Sequence, residues 1–271
     1  MADVVLMEVA DRVATVTLNR PKARNAMSVE LIDLLRRLVA EADARSDVDV
    51  IILTGTDPAF CAGLDLKELG RDGGGLKKAD PIRPTTAPSD GSDARRQARG
   101  ANLPTAKPVI GAINGVTVTG GLELALNCDF LVASDRARFA DTHSRVGVHP
   151  LWGLTLTLPQ AIGLRRAREM SATGNFVDAR QAFQWGLVNH VVDHAELLPF
   201  CQRLAADIVS SDQRALTAVL ATYEEVSRGT GAAAHSVEIR RAAEFQQGGV
   251  DPADIERRRQ SVVDRGRSQV S

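Results

Sequence analysis

Three stretches of the 271-residue chain combine residue types that could do chemistry. Two are glycine-bearing junctions, "AFCAGLDLKEL" at 59–69 and "NGVTVTGGLELAL" at 114–126. Each puts small residues where a backbone must turn sharply and can be approached closely. Free N–H groups at such turns, above all at a helix start, are donors for an anion. Two turns donating to one point would make an oxyanion hole; taken singly, each reads as a tight strand-to-helix turn. Neither contains G-x-G-x-x-G or the P-loop spacing, which argues against dinucleotide or P-loop sites. The second junction also carries Glu123 in the first helical turn, where the helix dipole favours the carboxylate form. That suits a base, and equally a carboxylate that only stabilises the dipole.

The third stretch is "FADTHSRVGVHP", residues 139–150. If "ADTHS" is extended, Asp141 and His143 project to one side and Thr142 to the other. An Asp neighbour would raise the His143 pKa and orient the ring, leaving a group able to supply a proton or hold a water. Alternatively His143 shapes a pocket wall and Asp141 caps the following turn.

These stretches need elements to position them. "VVLMEVADRVATVTL" reads as two β-branched runs around a polar turn at Asp11 and Arg12, a hairpin signal. Ser28 is an N-cap candidate for a helix on which Leu31, Leu34, Leu35, Leu38 and Val39 recur at helical spacing. "VDVIILTG", "PVIGAINGVTV" and "DFLVAS" are short apolar runs, as expected of strands buried on both faces. Short buried strands separated by helices predict an α/β layered core. Residues 70–103 are rich in Gly, Pro, Asp and Arg and read as a long loop, a solvated excursion or a gate over a site. From about 159 the pattern turns helical, broken by one strand-like "LVNHVV". The expected division is a core over 1–195 and a helical C-terminal region over 196–271.

Composition narrows the function classes. Thirty-three Lys and Arg against 34 Asp and Glu leave no global field to recruit nucleic acid or an anionic membrane, so any anion must be met locally. Three widely spaced cysteines fit neither a disulfide framework nor a zinc site and read as reduced thiols. With no leader pattern and no apolar run near 18 residues, the expectation is a soluble cytoplasmic protein. His149, His190, His194 and His235 show no metal spacing, and Trp152 is expected to pack against a pocket or the core.

Together, "LNRPKARNAMS", "AFCAGLDLKEL", "INGVTVTGGLELALNCDF" and "DARQAFQWGLVNHVV" appear in the order of the enoyl-CoA hydratase/isomerase (crotonase) family, which the chain resembles over roughly residues 3–260. The resemblance implies a spiral of repeated β-β-α units, a helical C-terminal part that builds trimers or pairs of trimers, and acyl-CoA ligands with no metal or redox cofactor. It places the oxyanion-hole amides at Leu64 and Gly120, and coenzyme A contacts at Lys22, Ala23, Arg24, Ala26, Ala62, Asp65, Leu66 and Lys67. One of the two glutamates of the hydratases falls on Glu123; the other falls on His143, beside Asp141. Hydration of a trans-2-enoyl-CoA is the reaction implied. The missing second glutamate keeps an isomerase, a decarboxylase, a thioester hydrolase and a non-catalytic acyl-CoA binder as alternatives.

Overall fold

The computed structural model describes residues 3–68, 103–213 and 215–220, with scattered positions beyond. The expected loop at 70–103 lies almost wholly outside these residues, as do His235 and most of the expected C-terminal helical region.

The chain opens with the antiparallel hairpin β1 (Val5–Ala10) and β2 (Val13–Leu18), paired from Val5 with Leu18 to Ala10 with Val13. Its two-residue turn holds Asp11 and Arg12 at φ 48° and 64°, the mirror-image turn geometry that matches strand twist. Helix α1 (Val29–Ala44) follows, capped by the Ser28 hydroxyl, which accepts the Leu31 N–H at 3.2 Å. Such a cap is worth about 1 kcal/mol. Leu31, Ile32, Leu35, Val39 and Ala42 form the buried stripe that seats this helix on the sheet.

Thereafter the chain alternates between two sheets. Strands β3 (Val50–Gly55), β5 (Val109–Ile113) and β7 (Phe130–Ser134) run parallel in a six-stranded sheet of order β1-β2-β3-β5-β7-β10, with β10 spanning His190–Val192. Strands β4 (Ala59–Cys61), β6 (Val116–Val118), β8 (Arg138–Ala140) and β9 (Val177–Asp178) form the second sheet in that order. Each turn of the chain thus adds one strand to each sheet and then passes on to the next turn. The run "PVIGAINGVTV", continuous in the sequence, is two strands in different sheets, bent between Ile113 and Val116. Hydrophobicity does not reveal that corner, because both arms are apolar.

Burial on both faces explains why the central strands are apolar throughout. Along β3, Ile51 and Leu53 join the main core with Phe60, Ile113 and Phe139, while Val50 and Ile52 face the opposite side. There helix α7 (Leu197–Val209) lays Leu197, Cys201 and Ala205 against them, so the start of the expected C-terminal region packs directly on the sheet.

Between β6 and β7 lies the short helix α2 (Gly120–Leu126). After β8 come α3 (His143–Val146), α4 (Leu154–Ile162) and α5 (Leu164–Thr173), the last two separated at Gly163; α6 (Ala179–Trp185) precedes β10. The helical pattern therefore begins before residue 159, at Leu154.

Candidate active site

The parallel strands of the second sheet deliver their following segments to one end of the molecule. The "AGLD" loop after β4, the start of α2 after β6 and the "ADTH" turn after β8 meet around a cavity of about 70 Å³. Leu64, Val118, Glu123, His143, Leu151 and Trp152 are among its walls.

The first two segments are pressed together by glycine. A Cβ on Gly121 would stand 2.2 Å from the Cys61 carbonyl oxygen, so only glycine lets the start of α2 approach β4 this closely. Gly63 holds φ +84°, and a Cβ there would lie 3.4 Å from the Gly120 amide nitrogen. The expected oxyanion residues Leu64 and Gly120 thus belong to two turns in direct contact. Between β6 and Gly120, Thr119 adopts φ 55° and ψ −120°, a strained conformation for a β-branched residue. Its backbone N–H donates to Ala140 O at 3.1 Å, and its hydroxyl meets that of Thr142 at 2.5 Å. Those bonds tie the α2 turn to the end of β8 and hold the strain in place. Gly120 N–H is among the first helical amides, which have no partner within the helix.

Glu123 and His143 face one another across the cavity. Glu123 is 2% exposed; its Oε1 accepts the Trp152 backbone N–H at 2.8 Å, and its Oε2 lies 3.4 Å from His143 Nε2. The other ring nitrogen, His143 Nδ1, bonds Asp141 Oδ1 at 2.6 Å. The same Asp141 oxygen accepts the His143 backbone N–H at 3.1 Å, and the Ser171 side chain also bonds this carboxylate. Asp141 therefore both caps the turn and orients the imidazole. The extended conformation considered for "ADTHS" from the sequence is not the one adopted: Thr142 stands at φ −106° and ψ 15°, and His143 begins α3. Asp141 still reaches His143 because the turn is closed by the aspartate itself, and Thr142 joins His143 at the cavity wall while Asp141 lies behind the ring.

Electrostatics follow from this geometry. Burial works against a charged His143, yet the hydrogen bond to Asp141 and the facing Glu123 outweigh it and raise its pKa to about 9. Burial likewise works against the Asp141 carboxylate, but the His143 contacts hold it below the usual carboxylate range. The outcome is an imidazole that favours its protonated form at neutral pH, with the Asp141 carboxylate on one side and Glu123 on the other.

The "NRPKARNA" turn and the "AGLDLKE" loop lie side by side at the cavity mouth. Ala62 N–H donates to Arg24 O at 3.0 Å, and Asp65 N–H donates to Met27 O at 3.0 Å. Lys22 and Ala23 sit in a 3-10 turn, and Arg24 takes a left-handed conformation at φ 51°. Lys22, Arg24 and Lys67 are exposed cations, whereas Leu66 lines the cavity. Asp65 has its carboxylate engaged by Arg20 at 2.9 Å and by the Lys67 N–H at 3.1 Å, and Arg20 also donates to the Ala26 carbonyl. Arg20 is the residue that fastens the two segments, and the sequence reading passes over it. It also passes over Asn25, fully buried, whose side chain accepts from the Arg20 N–H at 2.8 Å and donates to Thr56 O and Ala59 O. Asn127 is a third such residue, donating to Trp152 O at 3.2 Å and steadying the peptide that holds Glu123. Their distant partners are 25 to 45 residues away in the chain. Only an invariant motif could have marked them.

Of the remaining histidines, His149 lines the cavity and bonds Pro150 O, and His190 packs on Phe200. His194 contacts Asp57 at 2.9 Å and Ser134 at 3.0 Å. Among the described residues no group of three or more His, Cys, Asp or Glu could hold a metal ion, and no helix is long and apolar enough to cross a membrane.

Comparison with known proteins agrees with this architecture. The sequence signature of the family described as enoyl-CoA hydratase/isomerase matches residues 8–249. A probable peroxisomal enoyl-CoA hydratase 1 from Arabidopsis thaliana is 38% identical over 74% of this chain and 71% of its own length. A short-chain-enoyl-CoA hydratase from Clostridium acetobutylicum is 33% identical over 83% of this chain and 81% of its own. The crystal structure of an enoyl-CoA hydratase from Mycobacterium tuberculosis H37Rv superposes with a TM-score of 0.78 at 46% identity, covering 90% of this chain and all of that one. Spiral strand order, contacting glycine turns and sequence similarity together make this chain a member of the enoyl-CoA hydratase/isomerase family.

Proposed function

We propose that the protein hydrates a trans-2-enoyl-CoA thioester in acyl-CoA metabolism, with Glu123 and His143 as its catalytic pair. The observation that carries this reading is the buried line Asp141–His143–Glu123 at the cavity, with Glu123 Oε2 and His143 Nε2 3.4 Å apart. One carboxylate and one protonated ring supply the same inventory, one proton acceptor and one donor, that a pair of glutamates divides when their environments separate their pKa values.

The steps follow from these groups. Water bonds to the Cβ of the enoyl group while Glu123 takes its proton. The displaced π electrons move through Cα to the thioester oxygen, where the Leu64 and Gly120 amides hold the enolate. A donor of this kind is worth about 2.7–4 kcal/mol in the transition state. His143 then delivers its proton from Nε2 to Cα, the enolate electrons forming the new C–H bond. Transfer of a proton from Glu123 to His143 resets the pair. Asp141 keeps the ring oriented and offsets its charge. Coenzyme A lies along the joined "NRPKARNA" and "AGLDLKE" segments, with Lys22, Arg24 and Lys67 offering cations to its phosphates. No metal or redox cofactor takes part in these steps. Assembly into trimers or pairs of trimers and a cytoplasmic location belong to the same reading, and light scattering of the purified protein tests the assembly.

The deciding assay follows loss of the conjugated thioester absorbance of crotonyl-CoA, with Glu123→Gln and His143→Gln alongside. Turnover that collapses in both variants while crotonyl-CoA still binds supports the pair. Wild-type protein that binds acyl-CoA and turns over none overturns hydration and leaves an acyl-CoA binder.

A further inference from the structure

Trp152 occupies a place that the catalytic steps do not use. Its backbone N–H holds Glu123 Oε1 at 2.8 Å, and its ring runs from there to the oxyanion turn, where a Cβ on Gly120 would lie 3.1 Å from Cζ3. The side chain is a wall of the cavity and 2% exposed. Its indole N–H is buried with no hydrogen-bond partner. An unsatisfied buried donor costs stability that a phenylalanine or leucine would not incur, so what the position uses is the size of the ring. The cavity it bounds measures about 70 Å³. That is about half of the ~150 Å³ in which an apolar cavity accepts six-carbon benzene, so it takes about three carbons.

We infer that Trp152 is the specificity-determining residue of the acyl pocket, restricting the substrate to short acyl chains of about four carbons with the thioester carbon in the oxyanion hole. This inference rests on the acyl-CoA reading above. The ring stands beside the reacting carbons, so bulk at this one position decides whether further methylenes find room. Each methylene denied burial forgoes about fourfold in affinity.

The test measures dissociation constants of butyryl-CoA and decanoyl-CoA, both saturated and unreactive to hydration, by isothermal titration of wild type, Trp152→Phe and Trp152→Ala. Every variant keeps the backbone N–H on Glu123. Wild type is expected to bind butyryl-CoA tighter, and the alanine variant to gain about tenfold or more for decanoyl-CoA with no gain for butyryl-CoA. The phenylalanine variant, lacking only the indole N–H and part of the ring, should stay near the wild-type ratio. Trp152→Leu replaces alanine should that variant fail to fold. Equal affinities in wild type, or a ratio unmoved by alanine or leucine, overturn the inference. Crotonyl-CoA and trans-2-decenoyl-CoA hydration by the same proteins separates the two readings. The expected affinity ratio without turnover overturns hydration alone, whereas turnover of both chain lengths with an unmoved ratio overturns the role of Trp152 alone.

Discussion

Asp141→Asn separates charge from orientation at the proposed catalytic pair. The asparagine carbonyl oxygen can still accept His143 Nδ1–H across the 2.6 Å contact, so the ring keeps its place while the carboxylate charge is lost. Burial, which opposes a charged ring, then meets only Glu123 in opposition. A carboxylate at this range moves a pKa by about 1–3 units. The alkaline limb of kcat/KM for crotonyl-CoA, expected at about 9 in wild type, should therefore fall by that amount in the variant. With a fall of about two units, the variant at pH 8 holds about a tenth of its rings protonated and loses about tenfold in rate, regained on acidification. Stability moves with it. The native ring titrates at about 9 against an ordinary value of 6.5, so its contribution is fully present below 6.5 and is lost as pH rises through about 9. The amount is about 3 kcal/mol, read as a falling urea midpoint in wild type and a flatter profile in Asp141→Asn. A variant that is slower at every pH with its limb unmoved would refute the electrostatic role and leave Asp141 as a turn cap.

Four other outcomes are open to simple measurement. Glu123→Gln, which keeps an acceptor for the Trp152 N–H, should lower kcat by about 10²–10⁴ with acyl-CoA affinity little changed, checked by steady-state kinetics and titration calorimetry. Gly121→Ala forces a methyl group against the Cys61 carbonyl and should cost about 1–3 kcal/mol or more by urea unfolding. Arg20→Met removes the clamp between the two cavity-mouth segments; KM for acyl-CoA should rise more than kcat falls, since no reacting group is touched. Cys61 and Cys201 are buried with thiols pushed up to about 12, so a thiol reagent at pH 8 should modify only Cys128 quickly in the native state and all three in denaturant.

The parts legible in the sequence are those set within a few residues. The hairpin turn at Asp11 and Arg12, the Ser28 cap, the apolar β3 and the helical stripe of α1 all depend on neighbours in the chain, and the structure shows each of them. The glycine turns were legible for the same reason, because a backbone that must be approached closely leaves a composition signal. Glu123 and His143 could be marked by their motif positions. Their 3.4 Å separation could not, because it depends on how β6 and β8 are spaced in a sheet. The extended reading of "ADTHS" missed because an aspartate accepting the N–H two residues on offers the backbone a local turn.

Turns, caps and apolar runs are local, so residue order by itself marked the hairpin, the first helix, the buried strands and the turns that require glycine, and named Glu123 and His143 as candidates. Tertiary structure alone decided that one apolar run bends between two sheets, that Arg20 and Asp65 join the cavity-mouth segments, and that the Trp152 peptide anchors Glu123 while its ring bounds the cavity. Those contacts link residues up to 45 positions apart, and they exist only once packing of the two sheets brings their following loops to one end.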